Sequence, residues 1–118
     1  MSLKSFKNAA TGIITALKGG ANFRIICAVF ILVVALGVVV GISPLEWTAV
    51  LLCCAGVISA EMINSSIEQT VDLCTKEYSE TAKKAKDMAA GATLVFSIFS
   101  AAIGLIIFIP HIIELFRI

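Results

Sequence analysis

Charge is scarce in this chain. Only 14% of its 118 residues are Asp, Glu, Lys or Arg, whereas 59% are hydrophobic, and the mean hydropathy is +1.04. A soluble domain of this length keeps much of its surface in water and needs far more charge to solvate it, so an ordinary soluble domain is excluded. Histidine is scarcer still, with His111 alone. A lone histidine without ligand partners makes no metal site, and His111 reads as an interfacial residue far from the acids described below. The four cysteines form no C-x-x-C pair. Cys27, Cys53 and Cys54 lie in apolar runs and Cys74 lies at the end of one, so they read as small apolar filler. The glycines build neither a Walker A loop nor a protein-kinase glycine loop, and there is no H-x-E-x-C metal pattern. A conventional nucleotide-binding domain is therefore excluded as well.

What the chain does have is long uncharged runs. Ile25 to Ser43 and Met88 to Ile113 carry no charge, and Trp47 to Ala60 adds a third run that leads straight into acidic residues. A hydrocarbon core about 30 Å thick takes about 20 helical residues. The sequence thus predicts an all-α integral membrane protein with spans near 25–43, 47–73 and 85–110, in one domain covering residues 1–118. The opening residues lack the apolar core and cleavage site of a signal peptide. Lys4, Lys7, Lys18 and Arg24 precede the first span, Lys76, Lys83, Lys84 and Lys86 separate the second from the third, and only Arg117 lies on the other side. The positive-inside rule then places the N-terminus and the second loop in the cytoplasm and the C-terminus outside. GISPLEW (41–47) becomes an outer turn in which Pro44 breaks the helix and Trp47 suits the interface.

Before the first span, Leu3, Phe6, Ala10, Ile13, Ile14 and Leu17 recur at helical spacing, with lysines and polar residues largely elsewhere on the wheel. This predicts an amphipathic helix over about 2–18 lying on the membrane surface, ended by Gly19-Gly20. It is either a bare anchor or a wall beside a lipid site.

The chain has eight acidic residues, and three of them fall within AEMINSSIEQTVD (60–72). Successive helical residues rotate by about 100°. With Glu61 at 0°, Asn64 falls at about 300°, Ser65 at about 40°, Glu68 at about 340° and Asp72 at about 20°. Three carboxylates and an amide therefore share one stripe. Glu61 lies about 21 Å along the helix from Trp47, which puts it in the inner leaflet, with Glu68 near the interface and Asp72 at or beyond it. A carboxylate in lipid costs several kcal/mol and usually marks function. Like charges on one face call for cations, either the lysines near residue 85 or a divalent metal, since hard cations prefer carboxylate oxygen. The third helix opens with TAKKAKDMAA (81–90). Lys86 and Asp87 fall where it enters the membrane, and a lysine there can bind phosphate as a point charge. Together these residues point to a metal-and-phosphate site at the inner membrane surface, fitting phosphoryl transfer from a soluble donor to a lipid hydroxyl.

EMINSSIEQTVD (61–72) followed by AKDMAAGA (85–92) resembles the small prokaryotic diacylglycerol kinase family, which includes undecaprenol kinases. SFKNAATG (5–12) and Asn22-Phe23-Arg24 extend the resemblance over nearly the whole chain. It implies a homotrimer with active sites shared between subunits, which uses ATP and magnesium to phosphorylate a lipid alcohol in the bacterial cytoplasmic membrane. No nucleic-acid partner is expected. By position, Glu61 corresponds to the catalytic acid/base and contacts the lipid, and Asn64 to a catalytic-site organiser. Glu68 corresponds to the metal and ATP ligand. Asp72, Glu77, Lys86 and Asp87 correspond to the ATP site, and Phe23 and Arg24 to the lipid side. GISPLEW and LIIFIPHI resemble the Gram-positive branch, which favours undecaprenol over diacylglycerol. Two positions depart from the pattern. Gly20 stands where the family carries a metal-holding Glu, and Ser79 where His is common. The departures keep open a degenerate, non-catalytic member. A proton or ion pathway through Glu61 is a third class, and it leaves Lys86-Asp87 unexplained.

Overall fold

The computed structural model describes residues 1–117. Its elements are α1 (Leu3–Gly19), α2 (Ala21–Val40), α3 (Pro44–Cys74) and α4 (Glu80–Phe116). The last three are each long and apolar enough to cross a membrane.

Each helix boundary has a local cause. Ser2 caps α1, its hydroxyl accepting from the Ser5 N–H. Gly20 separates α1 from α2 in extended backbone and offers no side-chain cap. The Arg24 guanidinium folds back and donates to the Leu17 carbonyl at 2.8 Å, satisfying one of the carbonyls that a helix C-terminus leaves free. α2 stops at Val40, before the expected end near 43, because Gly41 takes the left-handed conformation at φ 72° and its N–H bonds the Gly37 carbonyl. Pro44 follows the break rather than making it. It stands in the first turn of α3, where its missing N–H costs nothing. Ser43 and Glu46 close a reciprocal capping box there, at 2.9 and 3.2 Å. Ser79 caps α4, which runs through Pro110 to Phe116, beyond the expected end near 110.

α3 and α4 form the principal packed pair. Gly56 of α3 seats the Phe96 ring of α4 so closely that a Cβ would lie 1.9 Å from its Cζ. The buried cluster Ile42, Val50, Cys54, Ile107 and Phe108 gathers at the end near the α2–α3 turn. His111 has a partner after all. Its Nε2 lies 2.9 Å from Glu46 Oε1, so the carboxylate that caps α3 also ties α4 to that turn.

Helix length decides what happens at the opposite end. The 20 residues of α2 span about 30 Å, the 31 of α3 about 46 Å and the 37 of α4 about 55 Å. α3 and α4 therefore have turns to spare beyond a hydrocarbon core of about 30 Å. Those spare turns carry Glu68 to Asp72 on α3 and Lys83 to Asp87 on α4. The apolar residues of α1, such as Leu3 and Phe6 at 72% and 65% exposed, are left for lipid.

Filling the Gly56 notch tests the α3–α4 seam. Gly56→Ala is expected to lower stability by about 1–3 kcal/mol through overpacking, read as unfolding in detergent. Gly56→Ala with Phe96→Leu is expected to recover most of the loss.

Candidate active site

The polar stripe of α3 forms one wall of a cleft of about 770 Å³. α1 and the start of α2 form the other, through Gly12, Thr15, Ala16, Gly20 and Phe23. On α1 the lining residues are small, with Gly12 and Ala16 one helical turn apart, which leaves the cleft open on that side. Both readings of α1 find support: it borders this cleft, as a wall would, and keeps Leu3 and Phe6 exposed, as an anchor would. Sequence reasoning singled out Gly20 and Phe23 and missed Gly12, Thr15 and Ala16. The available signal was the run of small residues facing one way in SFKNAATG and beyond.

Along the stripe, burial changes steadily. Glu61 is 8% exposed and Asn64 7%, the only buried polar or charged residues among those described. Glu68 and Asp72, one and two turns further on, are exposed. The cleft thus runs from a buried carboxylate to an open acidic mouth, a distance of about 10 Å between residues 61 and 68. Asn64 Oδ1 is buried and has no hydrogen-bond partner. Such an acceptor costs about 1–3 kcal/mol unless a donor arrives. The site is therefore short of a donor beside Glu61.

Asp72 also lines a second cleft of about 420 Å³ at the α3–α4 loop, with Glu77, Lys86 and Asp87. There Lys86 Nζ donates to Asp72 Oδ1 at 2.5 Å, from α4 to α3. Asp87 is held instead by Lys83, one turn back, at 2.6 Å. In the loop, the Thr75 hydroxyl and the Glu77 backbone bond each other. Lys76 and Lys83 line this cleft too, and sequence reasoning did not assign them to it.

The structure brings most of the singled-out residues together. Phe23, Glu61, Asn64, Glu68 and Asp72 share the first cleft, while Asp72, Glu77, Lys86 and Asp87 share the second. Arg24 lines neither, being committed to the Leu17 carbonyl.

No group of three or more His, Cys, Asp or Glu converges in metal-binding geometry among the described residues. A closed protein cage for a cation is absent from that set. Magnesium does not require one. It keeps several waters and commonly takes one or two carboxylates plus substrate phosphates, and the exposed Glu68 at an open mouth fits that pattern.

A family profile described as prokaryotic diacylglycerol kinase matches residues 7–108. The chain belongs to the prokaryotic diacylglycerol kinase family. It is accordingly a multi-pass membrane member of a family of ATP-dependent lipid kinases. An undecaprenol kinase of Bacillus subtilis is 42% identical over 107 residues, covering 91% of this chain and 87% of that protein. A diacylglycerol kinase of Helicobacter pylori is 49% identical over 59 residues, covering 50% of this chain and 46% of that protein. One from Synechocystis is 31% identical over 114 residues, covering 96% of this chain and 65% of that protein.

Gly20 offers a direct probe of the neutral wall. A Cβ there meets nothing within 4 Å, and its φ of −179° suits any residue. Gly20→Glu is expected to fold normally and to tighten binding of free manganese, measured by electron paramagnetic resonance, by about tenfold through a second carboxylate facing Glu68.

Proposed function

We propose that this chain transfers the γ-phosphoryl group of ATP, in the presence of magnesium, to the hydroxyl of a membrane lipid alcohol, undecaprenol, giving undecaprenyl phosphate. The observation that carries the reading is the buried end of the cleft, where the Glu61 carboxylate lies one turn from the unpartnered Asn64 oxygen. A lipid hydroxyl fits this polar end, its single O–H directed at Glu61. Glu61 accepts the hydroxyl proton, the lipid oxygen bonds to the γ-phosphorus, and the bond to the β-phosphate oxygen breaks to release ADP. Asn64 holds the hydroxyl in line. Glu68 and Asp72 stand at the mouth for the metal–nucleotide, with Lys86, Asp87 and Glu77 around the phosphates. Magnesium, when bound with the nucleotide, neutralises phosphate charge. Phosphoryl transfer needs mainly alignment and charge neutralisation, so a small chain suffices. Phe23 borders the lipid side of the cleft, whereas Arg24 acts by fixing the α1–α2 junction rather than by touching lipid.

The choice of undecaprenol is supported by the Bacillus subtilis relative, which matches along most of both chains. Diacylglycerol, giving phosphatidic acid, is the alternative, supported by the Helicobacter and Synechocystis relatives over shorter or less similar matches. The lysine distribution supports placing the N-terminus and the 75–79 loop in the bacterial cytoplasm and the C-terminus outside. The family supports a homotrimer with shared active sites. A second reading, a member that binds the magnesium nucleotide without turnover, is favoured by the neutral wall at Gly20 opposite the acids.

The test is phosphorylation of undecaprenol and diacylglycerol side by side by the purified full chain. Turnover on undecaprenol is expected, with Glu61→Gln reducing it by about 10²–10⁴-fold, the usual contribution of a general base. Preference for diacylglycerol would replace the substrate. Nucleotide binding without turnover on either lipid would favour the second reading.

A further inference from the structure

Two acids share the mouth of the first cleft, but their electrostatic situations differ. Glu68 makes no ion pair among the described residues, whereas Asp72 is engaged by Lys86 at 2.5 Å. They stand one helical turn apart, where like charges repel, and two carboxylates at that spacing offer a hard cation more than one does. Lys86 occupies the position that such a cation would take on the Asp72 side. Its partner Asp72 borders both clefts, and Lys86 itself borders the second. The pair is not locked in place. Its side chains are 39% and 56% exposed, and exposed ion pairs hold weakly. A nucleotide triphosphate carries several negative charges and can draw the ammonium away. Lys83 pairs with Asp87 and makes no ion pair with Asp72.

We propose that Lys86 is the resident counter-cation of Asp72, excluding a free divalent metal from that carboxylate until a phosphate draws the lysine away. Metal and nucleotide then enter together, and the protein alone is a poor magnesium binder. The nucleotide's part in this rests on the lipid-kinase reading above, while the exclusion of free metal rests on the ion pair.

The experiment titrates manganese, without nucleotide, into the full chain in detergent micelles and reads bound metal by electron paramagnetic resonance. Lys86→Gln is expected to tighten free manganese binding about threefold to fivefold, the range that releasing an exposed ion pair allows. Lys83→Gln removes the same charge from the same helix and is expected to change binding by less than about half that factor. Lys86→Gln combined with Asp72→Asn is expected to lose the gain. Nucleotide is titrated separately, as the magnesium complex of a non-hydrolysable ATP analogue, and Lys86→Gln should weaken its binding. No change in free manganese binding on Lys86→Gln, or an equal gain on Lys83→Gln, overturns the proposal. Failure of the unchanged protein to bind the analogue would instead overturn the lipid-kinase reading. Thermal unfolding of each variant separates either result from misfolding, and the conservative Lys86→Arg should restore the unchanged protein's low manganese affinity.

Discussion

A carboxylate is expensive to carry into hydrocarbon, and the organisation of this chain follows from where it accepts that expense. Glu61 is held within a helix that is otherwise apolar for the turns before it. It is buried, and it lines the cleft that α1 and α2 border on the other side. The acid's neighbours are then constrained. The acids of α3 that follow it, Glu68 and Asp72, fall with Asn64 on the same stripe. The stripe must also lead outward to water, so that Glu68 and Asp72 can meet charged ligands. Burial at one end and exposure at the other grade a single helix face from enclosed to open along the cleft.

The rest of the bundle serves that cleft. The close seat of Phe96 on Gly56, together with the Glu46–His111 contact and the cluster at the α2–α3 turn, fixes α3 against α4 on the side of Glu61 away from Glu68 and Asp72. With that end fixed, the extra turns of both helices project together at the other, bringing Asp72 and Lys86 within contact although they are separated by a loop. The α1–α2 junction is arranged differently. Gly20 is unobstructed and uncapped, and Arg24 holds the end of α1 through one carbonyl. One wall of the cleft is thus tightly packed and charged, and the other is thin and neutral.

Much of this was legible in the sequence because period and charge are local properties. Three uncharged runs identify the spans, and a rotation of about 100° per residue suffices to line up Glu61, Asn64, Glu68 and Asp72. The family followed from two long motifs. Other features depend on contacts between distant residues and leave no local trace. His111 looked partnerless because Glu46 is far away in sequence. Arg24 looked like part of the lipid side together with its motif neighbour Phe23, yet a guanidinium reaches back to a carbonyl as readily as outward. Pro44 looked like the breaker, although Gly41 provides the turn and proline merely opens the next helix. The division of labour between Lys83 and Lys86, each holding a different aspartate, depends on the approach of α4 to α3 and cannot be read from TAKKAKD.

The central claim is that lipid hydroxyl and metal–nucleotide meet in the one cleft along α3. The most direct measurement uses the lipid alcohol labelled with ¹³C at its hydroxyl-bearing carbon, with manganese and a non-hydrolysable ATP analogue added to the full chain in micelles. The account predicts strong paramagnetic broadening of that carbon's resonance, lost when excess magnesium displaces manganese. A resonance that stays sharp while both ligands are bound would place them in separate sites and contradict it.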